Sequence, residues 1–374
     1  MPAQGMVHFV DIFNFCLARP STWVHRLYAN WQVSLSSPSF MVKKREIVLS
    51  GIRPTGFVHL GNYFGAIQNW VRMQEEYDCF YCVVDWHSLT THPDTKALKE
   101  LVLRLLAELI ASGLNPEKCV LYVQSDIPEI AELYLYLNTL AYKGELEKTT
   151  TFKEKVRRQP DNINAALLTY PVLQSADILV HRATHVPVGK DQEQHIEMTR
   201  NFAERFNYRY GEVFPLPKAF NFGGDLIKIM SLDGNGKMSK SENQMNTIYL
   251  ADTDEAIRKK IMKAKTDSGP AQSNVAKPDY IEGLFNLMQL VSQQDVLEHF
   301  ESAYNNCEIR YADFKKQLAE DMVGFIAPIR QRALSIQEDG QRMKLVLESG
   351  AAKARASART TLELVRQAMG LQYR

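Results

Sequence analysis

Between Glu46 and Phe206 the chain alternates short aliphatic runs with longer segments of helical periodicity, and few folds accommodate that pattern. "EIVLSG", "CFYCVVD", "CVLYVQSD" and "HVPVG", beginning at Glu46, Cys79, Cys119 and His185, read as strands. Segments 61–77, 95–112, 129–141, 164–181 and 191–206 read as helices. Strands that are apolar on both faces and joined by crossover helices predict an α/β fold. Its parallel sheet is buried on both sides, and ligands bind beyond the carboxyl ends of the strands.

After about residue 245 the strands stop. Segments 254–265, 280–293, 295–304, 311–331 and 341–369 read as helices, broken by "DSGP" at 267–270 and by Gly350. A chain of 374 residues is too long for one compact core, so an all-helical C-terminal domain is expected. Leu362, Val365 and Met369 have the spacing of an amphipathic face that packs back on the first domain. Residues 1–40 fit neither part. They lack Lys or Arg before Arg19, which removes the n-region of a secretory signal. They read as a dispensable N-terminal extension outside the native fold, with an organellar address as the alternative.

Composition narrows the setting. The formal net charge is +1, so contacts with nucleic acid must come from local basic runs and not from a global field. Lys143 to Arg158 carries six basic residues against three acidic, and Glu255 to Lys265 carries five against one. Taken alone, each run is a solvated helix face. No uninterrupted apolar stretch approaches the ~20 residues of a membrane span, so no membrane partner is expected. Five cysteines without framework spacing point to a reducing compartment and a cytoplasmic protein. Cys79 and Cys82 are three apart on a strand and face opposite sides of the sheet, which argues against a zinc site despite His87 and His92 downstream.

The residues that carry chemistry lie at two turns. In "GIRPTGFVHLGNYFGAI", His59, Gly61 and Asn62 stand where the first strand passes into a helix, whose free N–H groups and positive dipole suit a phosphate. Alone, this pattern also describes an ordinary capped helix start. In "GNGKMSKSEN", Lys237, Ser239, Lys240 and Ser241 follow Gly234 and Gly236 with no acidic residue among them. Two ammonium groups and two hydroxyls on a glycine-hinged loop suit a polyphosphate, each charge-assisted contact contributing roughly 1.5–3 kcal/mol when desolvated. Neither G-x-x-x-x-G-K-[ST] nor G-x-G-x-x-G occurs, so a P-loop and a dinucleotide fingerprint do not compete.

Together the two turns resemble the signatures of class I aminoacyl-tRNA synthetases. "DWHSLT", "GELEKTTTFKEK", "LLTYPVLQSADIL", "VPVGKDQEQHIEMTRNFAERFN" and "IMSLDGNGKMSKSEN" narrow the resemblance to the bacterial-type tryptophanyl-tRNA synthetase family, in the family's order from about Glu46 to the C-terminus. The resemblance implies a Rossmann-like doubly wound parallel sheet in a catalytic domain over 41–244 that ends in the lysine loop. A helical anticodon-binding domain over 245–345 and a C-terminal helix over 346–374 that packs back on the catalytic domain would follow.

It also implies ATP against Arg53, Pro54, Thr55, Gly61, Asn62, Gly189, Lys190 and Asp191, with Ile229 beside the adenine. Lys237, Met238, Ser239, Lys240 and Ser241 would meet the triphosphate; His59, Asn62, Lys155, Lys237 and Lys240 form the implied catalytic set. Asp177 would accept the indole N–H of tryptophan, with Tyr170, Gln174, His87, Gln192, Val186 and Val188 completing that pocket. Magnesium would arrive with ATP, since the sequence shows no carboxylate cage and no protein-bound structural metal is expected. The implied partners are L-tryptophan, ATP, tRNA(Trp) and a second copy of the chain, with the helices between Glu129 and His181 supplying a homodimer interface. Tryptophan's carboxylate would attack the α-phosphate of ATP, and the terminal adenosine of the tRNA would then take the acyl group. Positioning and electrostatic stabilisation suffice for this, without a nucleophilic side chain.

One position departs from the family pattern. Tyr170, Gln174 and Asp177 spell Y-x3-Q-x2-D on one helix face, a spacing typical of tyrosyl pockets, where tryptophanyl enzymes commonly carry Met at the position of Gln174. A tyrosyl-tRNA synthetase is therefore the close rival, ahead of a cofactor adenylyltransferase and a catalytically dead RNA-binding paralogue. The lack of an acidic residue before Pro54-Thr55 and the complete K-M-S-K-S favour tryptophan. His195 reads as a packed or surface histidine outside the site. Lys237→Ala is expected to cut tryptophan-dependent ATP–pyrophosphate exchange by orders of magnitude with an unchanged circular dichroism spectrum; an unaltered rate removes the role given to the loop.

Overall fold

The computed structural model describes residues 45–91, 94–189, 192–220, 228–239 and 244–373. The extension expected over residues 1–40 lies outside them, as do His92 and the site candidates Lys190, Asp191, Lys240 and Ser241. From Arg45 onward the chain forms one compact unit.

Five strands make one parallel sheet: β1 (Ile47–Ile52), β2 (Asp78–Val83), β3 (Val120–Val123), β4 (His185–Pro187) and β5 (Lys218–Phe220). Their order is β3-β2-β1-β4-β5. The direction of winding reverses between β1 and β4, where Val48 pairs with His185, and a crevice opens beyond the strand ends at such a point. Four of the strands coincide with the aliphatic runs of the sequence. β5 has no such signature, because three residues without a buried member carry neither alternation nor an apolar run.

Alternate residues of each strand feed two separate cores. Val48, Cys79, Tyr81 and Leu121 face one, and Leu49, Phe80, Cys82 and Tyr122 face the other. Cys79 and Cys82 therefore lie on opposite faces. The first core is closed by residues 60–73, by Thr95–Ala111 and by the later helices Asp254–Met262, Asp279–Val291 and Tyr311–Glu338. Pro128–Asn138, Ala165–Val180 and Glu193–Tyr210 close the second. Within residues 60–73 a π turn at Tyr63–Ile67 inserts one residue next to the first motif, a device that recurs at functional sites. No helix among the described residues is long and apolar enough to cross a membrane.

The last helix corrects the expectation at Gly350. Gly340–Met369 is continuous; it begins against the first core at Met343 and ends in the second through Ala354, Ala358, Leu362 and Val365. A Cβ at Gly350 would stand 1.9 Å from the Leu121 carbonyl oxygen, so the glycine marks a close crossing over β3 and not a break. Beyond the crossing, Arg355 donates to the Asp126 carbonyl at 2.6 Å, and Arg359 and Arg366 pair with Glu129 and Glu132 at 2.9 and 2.5 Å. Buried His181 bridges the Tyr122 hydroxyl at 3.0 Å and Ser357 Oγ at 3.2 Å, and burial pushes its pKa down to about 3. Gly350→Ala is expected to destabilise the protein by about 1–3 kcal/mol or more, as overpacking does, despite alanine's better helix propensity. A lowered urea midpoint checks this; an unchanged or raised midpoint would show room at the crossing.

Candidate active site

The crevice at the β1–β4 reversal holds a cavity of about 350 Å³. Leu49, Ser50, Gly51 and Arg53 at the end of β1 line one side, and Val186, Val188 and Gly189 at the end of β4 line the other. The helix Ala165–Val180 crosses this space. Asn164 caps it by accepting from the Leu167 N–H at 2.9 Å, and the phase of the helix turns Tyr170, Gln174 and Asp177 toward the cavity.

Asp177 is 2% exposed, and both of its oxygens are engaged. His87 Nε2 stands 2.9 Å from Oδ2, and Gln124 Nε2 donates to Oδ1 at 2.7 Å. A carboxylate offers about four acceptor positions, so the anchored group keeps acceptor capacity for a ligand donor. Tyr170 links this end of the cavity to the other. Its hydroxyl lies 2.6 Å from His195 Nε2, and His195 Nδ1 lies 2.8 Å from Gln192 Oε1. With Gln192 presenting its carbonyl oxygen, Nδ1 donates and Nε2 accepts from the phenol.

Lys155 stands over the Tyr170 ring, its Nζ 4.0 Å from the centroid. It comes from the helix Thr150–Arg158, which Thr149 caps by accepting from the Phe152 N–H at 3.3 Å. Burial and the neighbouring Arg53 push the Lys155 ammonium down to about 8. Burial also lowers the Arg53 pKa, and Arg53 Nε has no hydrogen-bond partner among the described residues. No carboxylate among the described residues compensates either cation. Two desolvated cations side by side are costly until an anion joins them.

The two sequence motifs meet outside this lining and build a wall of their own. His59 and Asn62 form a capping box, with the Asn62 N–H donating to His59 Nδ1 at 3.3 Å and the His59 N–H facing Asn62 Oδ1 at 3.5 Å. Nδ1 is thus an acceptor, which puts the proton of the neutral ring on Nε2. Residues 248–250 pair with Val58–Leu60 through Leu60 N–H to Ile248 O (3.0 Å) and Leu250 N–H to Val58 O (2.9 Å). Met238 is buried, donates to Ile229 O at 2.8 Å, and carries its carbonyl oxygen to 3.3 Å from where a Cβ on Gly61 would be. The first turn and the lysine loop therefore touch through backbone.

Of the residues expected in the site, Arg53, His87, Lys155, Tyr170, Gln174, Asp177, Val186, Val188, Gly189 and Gln192 line the cavity. His59, Gly61, Asn62, Ile229, Met238, Ser239, Pro54 and Thr55 lie outside the lining. Lys237 is exposed, bridges by backbone to Met230, and lies outside the cavity lining. The glycines of the expected hinge belong to a packed turn. Gly234 and Gly236 have φ of 76° and 86° and shape a turn in which the Asp233 carboxylate accepts from the Asn235 N–H at 3.0 Å and Asn246 Nδ2 at 2.6 Å. A Cβ on Gly234 would meet Tyr280 Cβ at 2.4 Å; the turn is packed against a helix.

His195, set aside from the sequence, is buried and holds Tyr170. Gln124 has no place among the sequence candidates. The available signal was its position, directly after β3 at a strand's carboxyl end. The basic run at 255–265 is partly spent inside the fold. Arg258 pairs with Glu320 at 2.8 Å and buried Lys260 with Asp252 at 2.6 Å, leaving Lys259, Lys263 and Lys265 exposed.

Residues 41–327 match the family described as tRNA synthetases class I (W and Y). A tryptophan–tRNA ligase from Porphyromonas gingivalis is 55% identical over 328 residues, covering 87% of this chain and 100% of the relative. The chain belongs to the tryptophanyl-tRNA synthetases. A second relative of that name, from Helicobacter pylori, is 41% identical over 335 residues, covering 88% of this chain and 100% of its own length. The crystal structure of tryptophanyl-tRNA synthetase from Campylobacter jejuni complexed with ADP and tryptophan superposes with a TM-score of 0.78 at 32% identity. It covers 87% of this chain and 99% of that one.

For this synthetase the depressed Lys155 pKa carries a pH dependence. A phosphate beside Lys155 favours its charged form and raises the pKa in the complex. With an ATP phosphate at that place, protonated Lys155 would be the binding form and ATP affinity would fall as pH rises through the free-enzyme value of about 8. The KM for ATP should climb between about pH 7 and pH 9 in the wild type and stay flatter in Lys155→Arg, whose guanidinium keeps its charge. A flat wild-type profile would show that Lys155 does not meet the anion.

Proposed function

We propose that the cavity between β1 and β4 binds tryptophan with its indole N–H on Asp177, while Arg53, Lys155 and the wall of His59, Asn62 and the lysine loop hold ATP. The protein is a tryptophan–tRNA ligase. It joins L-tryptophan to ATP, giving tryptophanyl adenylate and pyrophosphate, and passes the acyl group to tRNA(Trp). The observation that carries this reading is one cavity with two kinds of electrostatic demand: an anchored carboxylate with spare acceptor capacity, and two half-buried cations without a compensating carboxylate among the described residues.

The chemistry follows from those demands. A side chain without a donor leaves Asp177 short of a partner and is rejected, whereas indole supplies an N–H. Tyr170, Gln174, His87, Gln192, Val186 and Val188 complete that pocket. The tryptophan carboxylate attacks the α-phosphorus as the bond to pyrophosphate breaks, and charge develops on phosphoryl oxygens that Arg53 and Lys155 face. His59 Nε2–H adds a donor from the first turn. Lys237, Lys240 and the hydroxyls of Ser239 and Ser241 meet the leaving pyrophosphate; Lys237 must turn inward to do so. Pro54, Thr55, Gly61, Gly189, Lys190, Asp191, Ile229 and Met238 complete the nucleotide site, and magnesium enters as part of the ATP substrate.

Residues 41–244 act as the catalytic domain and 245–345 as the anticodon-reaching domain, where exposed Lys259, Lys263 and Lys265 contact tRNA phosphates that position without specifying sequence. Residues 346–374 brace the two. The enzyme works in the cytoplasm as a homodimer, a state supported by the exposed apolar side chains of Leu135, Tyr142 and Ile163. Gln174 lines the same cavity and is the feature shared with tyrosyl pockets; here it adds a polar group beside the indole. Tryptophan should drive ATP–pyrophosphate exchange and tyrosine should not. Exchange with tyrosine alone, or with neither amino acid, would refute the assignment.

A further inference from the structure

Gln124 is fully buried, at 0% exposure, in the short turn Gln124–Asp126 that follows β3. Its carboxamide orientation follows from its surroundings. The N–H groups of Trp86 and His87 point at one end, at 3.1 and 3.4 Å. Because both are donors, the atom facing them is the oxygen. The other end is therefore the NH2 group, and it donates to Asp177 Oδ1 at 2.7 Å.

The backbone thus sets the amide, and the amide sets one oxygen of the carboxylate. The other oxygen is set by His87, whose own N–H is one of the two groups orienting Gln124. The turn after β3, the helix Asp85–Leu89 and the helix Ala165–Val180 meet in this one chain of contacts. A lone carboxylate on a helix rotates freely about its side-chain torsions. Held at both oxygens, it keeps its remaining lone pairs in one plane and at one place.

We propose that Gln124 is a specificity-determining positioning residue: by donating to Asp177 Oδ1, it aims the carboxylate's remaining acceptor positions at the N–H of the bound amino acid's ring. This rests on the reading of Asp177 as the indole acceptor. Gln124 does not touch the substrate. Its contribution is confined to ligands that bring a ring N–H, and it leaves the ATP side of the cavity alone.

Two variants separate this from a structural role. Gln124→Met loses both the donor to Asp177 and the acceptor for Trp86 and His87 N–H; Gln124→Glu, buried against the Asp177 carboxylate, holds a proton and keeps both. Amino-acid-dependent ATP–pyrophosphate exchange is measured with tryptophan and with the analogue that carries a benzothiophene ring, in which sulfur replaces the N–H. The ratio of kcat/KM for tryptophan to that for the analogue should fall roughly 10- to 100-fold in Gln124→Met, the equivalent of one hydrogen bond to a charged group, and stay near the wild-type value in Gln124→Glu. In Gln124→Met the KM for tryptophan should rise and the KM for ATP should hold. Activity with the analogue reports folding in the same assay. Equal loss with both substrates, or an unchanged ratio, in Gln124→Met overturns the proposal. Asp177→Asn is run beside them: if it collapses the ratio while Gln124→Met does not, the Asp177 reading stands and the Gln124 proposal fails. An Asp177→Asn variant with the wild-type ratio refutes both.

Discussion

A parallel sheet must be buried on both faces, and most of this structure follows from meeting that requirement with helices of the same chain. The two cores on either side of β1 to β3 draw on different parts of the sequence. One is closed mainly by helices that follow the lysine loop, the other by the crossover helices that precede it. The helix Gly340–Met369 reaches both, and Gly350 lets its backbone come close enough to β3 to do so. Covering the faces leaves the strand ends open. Where the winding reverses between β1 and β4, the strand ends stay uncovered and the cavity forms there, with the helix Ala165–Val180 lining it.

Within that cavity, charge is distributed by what each group already has. Asp177 is supplied with donors by His87 and Gln124, so its place is fixed before a ligand arrives. Lys155 and Arg53 are treated in the opposite way: they are desolvated beside each other, and Lys155 rests on the face of Tyr170. The aromatic face returns part of the lost solvation. Preorganised polar groups cost no reorganisation at the moment of reaction, and cations without a carboxylate partner among the described residues favour an anionic ligand over solvent. Tyr170 belongs to both halves, through its ring under Lys155 and its hydroxyl on His195.

Much of the fold was legible because it repeats a simple period. Four strands and nearly every long helix announced themselves through aliphatic runs and 3.6-residue spacing. β5 did not, being three residues long without a buried side chain. Gly350 was misread because a glycine inside a helical pattern signals either a weak helix or a close neighbour, and sequence spacing does not distinguish them. In the site, Asp177, Tyr170 and Gln174 were found together because one helix face holds all three. Gln124 and His195 were not. They sit on other elements and contact Asp177 and Tyr170 across the fold, so nothing nearby in the sequence marks them.

Taken by itself, the sequence determined the class of fold, the two phosphate-directed turns and the carboxylate-bearing helix, since each depends on residues a few positions apart. Tertiary structure alone decided which of those residues share a cavity. It placed Lys237 at the surface while Lys155 and Arg53 face inward. It turned the supposed hinge at Gly234 into a packed turn against Tyr280, and it oriented Asp177 through an amide 53 residues away in the chain. The reason is physical: burial and hydrogen-bond partnership are properties of the assembled chain, and a side chain's chemistry is set by its neighbours in space.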